Sequence, residues 1–306
     1  MAAQVIDGKA LAKKHRDEIA ARAAKLREAG RPVRLDALLV GSEDDAAHQY
    51  ADSQAKTCRE LGIDYVLHSL PTGAGYDDIA GRVLLLNTKE EVSAIMVHLP
   101  LPEAVDAYSV QRLIAPEKDV EGVNPANIGN VVYGRSSLAP CTALAVIKMV
   151  EHTWGGGTRA DGLRGKLAVV VGASNHVGKP IAVLLMRLDA TVVSCNKWTP
   201  GLADLTKRAD VVVAAAGVPE LITRDMVKPG AIVIDVGVNR VQGADGKMRT
   251  VGDVAYEAVG GFGAHEGKIG GAGWISPVPG GVGPMTVAML LLNVVEAAER
   301  AVGVRV

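Results

Sequence analysis

The chain has 306 residues, of which 48% are hydrophobic and 22% charged, so a disordered chain and a coiled coil are excluded. Its 33 Lys and Arg residues nearly balance its 34 Asp and Glu residues, which leaves no basic field to hold nucleic acid or an anionic membrane. At about 150 residues per domain, the length predicts two domains. Glycine is frequent, with 35 residues, and this favours an α/β fold with many tight turns.

The cysteines and the N-terminal sequence predict the compartment. Cys58, Cys141 and Cys195 are widely spaced, with no C-x-x-C pair and no neighbouring His at metal-ligand spacing. We therefore expect a reducing compartment and no metal site. The N-terminus has no basic segment followed by an apolar stretch, and no segment reaches the roughly 18 apolar residues of a membrane span. Together these features predict a cytoplasmic protein that binds neither membranes nor nucleic acid.

The first half of the chain alternates helical and strand patterns. Asp7 can cap a helix that ends near Gly30, and a second helix is expected to stop at Gly62. Further patterns predict strands at 35–40, 65–68 and 94–97, and helices at 77–87 and 103–114. Such alternation is typical of a parallel sheet covered by helices.

The second half begins after an irregular stretch. Residues 116–140 are rich in Gly, Asn and Pro and too long for an ordinary connection, so we interpret them as both functional and a boundary. Thr142 can cap a helix that runs to about residue 152, and a Gly-rich linker follows at 154–165. The segments LAVVVG, TVVSC, VVVAAAG and AIVIDVG then predict four strands of a Rossmann-like unit. The late segment AMLLLNVVEAAERAV predicts a helix that packs back on the first domain.

A glycine turn follows the first of these four strands. The sequence GASNHVG, residues 172–178, opens a helix, and the backbone amides of such a turn can hold a pyrophosphate. Ser174 replaces the middle glycine of the usual pattern, and a turn without a ligand is an equally good interpretation of this segment alone. The next strand ends in Cys195-Asn196-Lys197, without the acidic residue that binds the ribose diol of NAD. Lys197 therefore favours a 2′-phosphate, although a solvated loop lysine is the commoner case.

Five motifs occur in a fixed order along the chain. They are VHLPLP at 97–102, KDVEG at 118–122, PCT at 140–142, the glycine turn, and PVPGGVGPMT at 277–286. In this order and spacing, the chain resembles the bifunctional methylenetetrahydrofolate dehydrogenase/methenyltetrahydrofolate cyclohydrolase family over essentially its whole length.

The resemblance implies a two-domain α/β fold with a folate cleft between the domains. Residues 1–145 and 284–306 would form the catalytic domain, and residues 146–283 a Rossmann domain that binds NADP or NAD. It also implies a homodimer that oxidises 5,10-methylenetetrahydrofolate with NAD(P)+ and hydrates the methenyl product to 10-formyltetrahydrofolate.

The resemblance also identifies candidate site residues. The candidate catalytic residues are Tyr50, Gln54, His98 and Glu121. The candidate folate-binding residues are Leu99, Pro100, Pro279, Gly280 and Gly281. The candidate cofactor-binding residues are Thr142, Gly172, Ala173, Ser174, Val177, Gly178, Asn196, Lys197, Ala215, Gly217, Val236, Gly237 and Thr286.

The most consequential departure from the family pattern is Gln54. The family motif Y-x-x-x-K begins here at Tyr50 but ends in Gln54, where a lysine acts in the cyclohydrolase step. A carboxamide carries no proton at neutral pH, so hydration is expected to be very weak or absent, whereas hydride transfer mainly needs positioning. Lys56 lies about 200° round a helix from Gln54 and is expected on the surface. A helix shift that brings Lys56 into the site is the alternative.

Other departures fall near the same cleft and at the cofactor. His98 replaces a Gln, Glu121 an Asp and Asn124 a His of the family pattern. Glu121 keeps the carboxylate that would hold the pterin, one methylene longer. His98 either replaces the lysine as a base or is hydrogen-bonded at a strand end. Ala173 removes an Arg that would hold the 2′-phosphate, so the choice between NAD and NADP stays open, with Lys197 favouring NADP.

Three hypotheses follow from these residues. The leading one is a folate dehydrogenase that uses NAD(P)+ and has lost most cyclohydrolase activity. The alternative is a non-redox folate enzyme that donates the methylene carbon of 5,10-methylenetetrahydrofolate to a second substrate in a specialised pathway. A folate-binding protein without catalysis is disfavoured, because Tyr50, Glu121 and the PGGVGP loop are kept.

Overall fold

The computed structural model describes residues 2–41, 46–135, 138–154, 162–243, 246–263 and 271–303. The chain divides into two compact units. Unit 1 contains Met1–Ala12 and Thr142–Val287, and unit 2 contains Lys13–Cys141 and Ala288–Val306. The predicted domain boundaries after residues 145 and 283 remain a prediction.

The first half of the chain contains four strands and five helices among the described residues. In chain order they are β1 (Gln4–Val5), α1 (Gly8–Glu28), β2 (Arg34–Val40), α2 (Ala46–Glu60), β3 (Asp64–Leu70), α3 (Tyr76–Asn87), β4 (Ala94–Val97), α4 (Ala107–Gln111) and α5 (Pro125–Tyr133). As predicted, Asp7 caps α1, since its carboxylate accepts hydrogen bonds from the backbone of Lys9 at 2.9 Å and Ala10 at 3.1 Å.

The rest of the chain supplies most of unit 1. Its elements are α6 (Cys141–His152), β5 (Leu167–Val171), α7 (Gly178–Met186), β6 (Thr191–Cys195), α8 (Leu202–Thr206), β7 (Val211–Ala214), a 3₁₀ turn (Arg224–Met226), β8 (Ile232–Asp235), β9 (Asn239–Gln242), β10 (Met248–Val251), α9 (Tyr256–Gly260), β11 (Trp274–Ile275) and α10 (Val282–Ala301).

Unit 2 is built on a parallel sheet with strand order β3-β2-β4. Because β2 lies in the middle, the chain leaves it towards β3 and returns on the other side as β4. Ligands of open α/β sheets bind where the strand order reverses in this way, at the carboxyl ends of the strands. One face of the sheet packs in a core that includes Leu38, Ile79, Val83 and Ile95, all fully buried.

Unit 1 is built on a six-stranded parallel sheet with strand order β1-β11-β8-β7-β5-β6. Here the order reverses at β5, which lies between β6 and β7. The predicted glycine turn follows β5 directly, so it lies at this reversal. The Rossmann-like prediction is confirmed, and β9 and β10 add a separate antiparallel hairpin.

Three local predictions need correction. The helix expected at 103–114 is confined to α4, because the Asp106 side chain accepts from the Ser109 backbone at 3.0 Å and caps it there. The irregular stretch 116–140 contains α5, which has Asn124 as its N-cap and ends at Gly134, a residue with φ 71°. Thr142 lies inside the first turn of α6, which begins at Cys141, directly after Pro140. Part of the predicted linker, residues 155–161, lies outside the described residues.

Among the described residues, one helix, α10, is long and apolar enough to cross a membrane by length and composition. Most of it is buried inside the protein, as in the core helix of a globular unit. In unit 2, Asn293 of α10 donates to the backbone oxygens of Val120 at 2.8 Å and Ala139 at 3.0 Å. Glu299 forms an ion pair with Arg22 of α1 at 2.6 Å. These contacts make the second half of α10 a component of unit 2.

Candidate functional site

The structure brings three of the candidate catalytic residues together between α2 and β4. Tyr50 and Gln54 are one turn apart and share a face of α2. The Gln54 Nε2 atom donates to the Met96 Sδ atom in β4 at 3.3 Å. Two residues after Met96, directly past the end of β4, the His98 ring meets the Tyr50 ring edge-on, with centroids 5.9 Å apart. This group lies at the carboxyl end of β4, where the strand order of unit 2 reverses.

Gln54 is only 5% exposed, yet its Oε1 atom has no hydrogen-bond partner among the described residues. An unpaired buried acceptor costs about 1–3 kcal/mol, so this oxygen is suited to a donor on a bound ligand. Lys56, by contrast, is exposed. The prediction that Lys56 faces away from the site is therefore confirmed, and no helix shift brings it in.

His98 is buried and neutral at pH 7. Its Nε2 atom lies 3.2 Å from the Tyr65 hydroxyl on β3. Burial, and to a lesser extent the nearby His48, lowers the pKa of His98 to about 4. A general base works best when its pKa is near the working pH, so His98 is a weak replacement for a lysine. The contact with Tyr65 agrees with the alternative of a histidine hydrogen-bonded at a strand end.

Glu121 adds a carboxyl group beside the end of β4. Its carboxylate accepts from the backbone N–H of Val97, while its Oε2 atom is buried and has no partner among the described residues. Burial and the charge of Asp119 raise the pKa of Glu121 to about 7. The charge of Glu121 in turn contributes to the raised pKa of Tyr50, behind the larger effect of burial. The fourth candidate catalytic residue thus lies near the other three.

The loop that carries Glu121 is fixed by side chains whose structural role the sequence analysis missed. Asp119 is fully buried and accepts from the Asn124 backbone at 2.7 Å and from the Asn127 Nδ2 atom at 2.9 Å. Both polar atoms of the Asn124 side chain are hydrogen-bonded within the protein. The oxygen accepts from the Ala126 backbone and caps α5, and the nitrogen donates to the Arg112 and Ile114 carbonyls. Asn124 therefore supports the loop, and the expectation that it belongs to the cleft is not supported by its contacts.

The raised pKa of Glu121 predicts a pH-dependent stability. Between pH 4.5, the ordinary pKa, and about pH 7, the folded protein keeps a proton that the unfolded chain has released. The free energy of unfolding should therefore fall as the pH rises through this window, and Glu121→Gln should remove that loss. Thermal unfolding at pH 5, 6, 7 and 8 measures this pH dependence. The Tm of the variant minus the Tm of wild type should increase as the pH rises. The exposed Glu103→Gln is the control, and a constant difference for Glu121→Gln would contradict the assignment.

The candidate folate-binding residues fall into two groups. Leu99 and Pro100 follow His98 in unit 2, joined by a cis peptide bond, and Leu99 is 53% exposed. Pro279, Gly280 and Gly281 lie in unit 1, in the loop that precedes α10. That loop packs closely on the start of α1, because a Cβ atom at Gly8 would lie 1.8 Å from the Gly281 backbone oxygen. Their binding of folate stays a prediction.

In the glycine turn of unit 1, the backbone packs directly against the backbone of neighbouring segments. Gly172 has φ 117°, its N–H donates to the Cys195 carbonyl at 2.9 Å, and a Cβ atom would lie 2.0 Å from the Ala215 oxygen. A Cβ atom at Gly178 would lie 1.8 Å from the Gly172 oxygen. The turn thus connects the ends of β5, β6 and β7 without side chains in the way, which fits a cradle for a pyrophosphate. Ala173, Ser174 and Val177 lie in this same turn.

Two carboxylates missed from the sequence organise the neighbouring strand ends. The Asp253 Oδ2 atom accepts from the backbones of Ala216 at 2.6 Å and Gly217 at 2.9 Å. Asp235 accepts from the backbones of Gly237 at 3.0 Å and Asp253 at 2.9 Å. Burial raises the pKa of Asp235 to about 6. Asp235 is the last residue of a buried strand, in the segment AIVIDVG. A carboxylate at the end of an apolar strand was the feature of the sequence that could have identified it.

Four of the remaining candidate cofactor residues follow neighbouring strands of the parallel sheet, on the same edge as the glycine turn. Ala215 and Val236 follow β7 and β8, whereas Asn196 and Lys197 follow β6. Thr142 and Thr286 lie on α6 and α10, and the Thr286 hydroxyl donates within its own helix to the Val282 carbonyl at 3.1 Å. The part of the chain that the structure describes contains no group of three or more His, Cys, Asp or Glu that could hold a metal ion.

Two family profiles match the chain. Residues 6–121 match the catalytic domain of tetrahydrofolate dehydrogenase/cyclohydrolase. Residues 140–302 match the NAD(P)-binding domain of the same family. Together the two profiles cover most of the sequence.

Relatives match over their full length. The bifunctional protein FolD of Cupriavidus pinatubonensis is 46% identical over 303 residues, which is 99% of this chain and 100% of the relative. The crystal structure of the bifunctional FolD methylenetetrahydrofolate dehydrogenase/cyclohydrolase from Campylobacter jejuni is 37% identical, with a TM-score of 0.87, over 98% of this chain and 99% of that one. The Trypanosoma brucei enzyme, solved with NADP and an inhibitor, is 35% identical, with a TM-score of 0.84, over 99% of each chain.

Proposed function

Because the chain belongs to the tetrahydrofolate dehydrogenase/cyclohydrolase family, we propose that it oxidises 5,10-methylenetetrahydrofolate to 5,10-methenyltetrahydrofolate with NAD(P)+ and hydrates the product weakly or not at all. The weak or absent hydration is inferred from the position of Gln54. Its carboxamide is buried against Met96 at the position where the family pattern has the lysine of the hydration step.

Dehydrogenation needs positioned partners and no acid or base on the protein. Glu121 would hold the pterin through its carboxyl group, and the unpaired oxygen of Gln54 would accept a hydrogen bond from the folate. The turn at 172–178 would hold the pyrophosphate, while Asp253 fixes the backbone of Ala216 and Gly217 beside it. When bound, NAD(P)+ accepts the hydride from the one-carbon unit. All these groups bind or orient, so the loss of the lysine leaves this step intact.

Hydration of the methenyl group requires that a proton leave the attacking water. Gln54 cannot take it, because an amide is neither acid nor base at neutral pH. His98 has its pKa near 4 and is a weak acceptor. The carboxyl group of Glu121 is assigned to the pterin. The site therefore supports hydride transfer better than hydration.

The test is a pair of rate measurements on the purified protein. NADPH or NADH formation from 5,10-methylenetetrahydrofolate should proceed at a rate ordinary for an enzyme, and decay of 5,10-methenyltetrahydrofolate should exceed the uncatalysed rate only slightly. Efficient hydration would contradict the loss, and absence of reduced cofactor would contradict the dehydrogenase. The non-redox transfer of the one-carbon unit to a second substrate is not favoured, because full-length relatives are named as bifunctional dehydrogenase/cyclohydrolases.

The family resemblance also supports a homodimer in the cytoplasm. The three cysteines are buried and unpaired with one another, which fits the predicted reducing compartment. Light scattering at micromolar concentration should give about twice the chain mass of 31.8 kDa. A mass of one chain would contradict the dimer.

A further inference from the structure

A tyrosine on the far strand of the sheet in unit 2 reaches the His98 ring. The hydroxyl of Tyr65, on β3, lies 3.2 Å from the His98 Nε2 atom, although β2 lies between β3 and β4 in the sheet. The backbone of His98 is fixed separately, since its N–H donates to the Leu38 carbonyl of β2 at 2.8 Å. The contact with Tyr65 therefore acts on the imidazole ring itself.

The direction of this hydrogen bond follows from the chemistry of the two groups. A neutral imidazole has one nitrogen that donates and one that accepts. Burial raises the pKa of Tyr65, so its phenol keeps the hydrogen. If the His98 Nε2 atom donated to the phenol oxygen, the hydrogen of this half-buried phenol would have no acceptor among the described residues. The Tyr65 hydroxyl is therefore the donor, and the single ring hydrogen of His98 lies on Nδ1.

This arrangement leaves a donor at Nδ1 for a ligand. His98 is only 4% exposed, and no acceptor for its Nδ1 atom is found in the part of the chain that the structure describes. A buried donor without a partner is costly, as is the unpaired Oε1 atom of Gln54 in the same group of side chains. The group thus offers one unpaired donor and one unpaired acceptor.

We propose that Tyr65 is a positioning residue: it holds the hydrogen of His98 on Nδ1, and this N–H donates to an acceptor atom of the bound folate. The inference rests on the proposed function, since it requires a folate in this site. It makes His98 a substrate-binding donor and not the base of a hydration step. It also explains why a histidine at this position needs a partner. The Gln of the family pattern always carries an N–H donor, whereas a neutral histidine has one at a given nitrogen only in one tautomer.

Nitrogen-15 NMR of the free protein at pH 7 tests the tautomer without folate or catalysis. The signals of His98 are identified by their loss in His98→Gln. Wild type should carry the hydrogen on Nδ1, with Nε2 unprotonated. Tyr65→Phe removes one oxygen atom and should give a mixture of both tautomers, because the group that distinguishes the two nitrogens is lost. Tyr133→Phe, the same change on a tyrosine that is 84% exposed, is the matched control and should keep the wild-type tautomer.

Steady-state kinetics of the dehydrogenase test the contact with folate. Tyr65→Phe should raise the KM for 5,10-methylenetetrahydrofolate about 3–10-fold, the usual effect of one hydrogen bond, and change kcat less than about 2-fold. The KM for the dinucleotide should stay the same. In the His98→Gln background, Tyr65→Phe should change the folate KM less than about 2-fold, since the carboxamide keeps a donor without help from Tyr65.

A hydrogen on Nε2 in wild type would overturn the inference, and so would an unchanged tautomer or folate KM in Tyr65→Phe. Equal rises in KM with His98 and in the His98→Gln background would overturn it too, because Tyr65 would then only support the packing of β3. Absence of reduced cofactor in wild type would overturn the proposed function and the folate contact together, whereas the spectra of the free protein would still decide the role of Tyr65.

Discussion

Gln54→Lys should raise the methenyltetrahydrofolate cyclohydrolase rate by about 10²–10⁴-fold, since a positioned acid or base typically contributes that much. The side chain at this position points from α2 towards Met96 and is 5% exposed. Burial lowers the pKa of a lysine, which favours the neutral amine that accepts a proton from water. The dehydrogenase rate should change far less, because hydride transfer uses position only. Both rates are measured by absorbance on the same preparation.

Two control variants test whether the gain in hydration comes from the lysine amine at position 54. Gln54→Met has nearly the same length and cannot move a proton, so it should not raise the hydration rate above that of wild type. Lys56→Gln should have no effect on either rate, because Lys56 is exposed. Should wild type already hydrate methenyltetrahydrofolate efficiently, loss of that rate in His98→Gln would make His98 the base. Loss of it in Lys56→Gln would mean that the register assigned to α2 is wrong.

Gly172→Ala should abolish dinucleotide binding and destabilise unit 1 by about 3 kcal/mol or more. Two effects add: the new Cβ atom would lie 2.0 Å from the Ala215 oxygen, and the residue has φ 117°. A non-glycine residue held in such a conformation costs of order 1–3 kcal/mol, and the backbone overlap adds to that. Thermal unfolding and calorimetric titration with NADP+ measure the two losses.

Gly230→Ala separates the two effects. Gly230 has φ 82°, but no atom lies within 4 Å of the added Cβ atom, so this variant carries only the conformational cost, about 1 kcal/mol. It should keep its affinity for NADP+. Wild-type stability and affinity in Gly172→Ala would show that the turn relaxes easily and that the close approach of Gly172 to Ala215 is not required.

Local sequence patterns were enough to predict the order and type of most elements and on which side of α2 two side chains lie. Runs such as LAVVV and VVVA are short and rich in valine, a glycine follows each within three residues, and each is a strand of the parallel sheet in unit 1. The spacing of Gln54 and Lys56 on a helix was enough to place one inside and the other outside, because a residue step of 100° is fixed by backbone geometry. Local periodicity encodes such features, so they can be read without knowledge of the rest of the chain.

The roles of the polar residues, by contrast, depend on how distant segments of the chain pack together. Asn124 departs from the family pattern as His98 and Glu121 do, yet it caps α5, whereas the other two lie at the end of β4. Burial moves the pKa of His98 down and that of Glu121 up, in each case towards the neutral form. Asp253 fixes strand ends that lie more than 30 positions earlier in the chain. Burial and hydrogen bonding depend on segments that are distant in sequence, so they are set by how the chain packs and not by the local pattern.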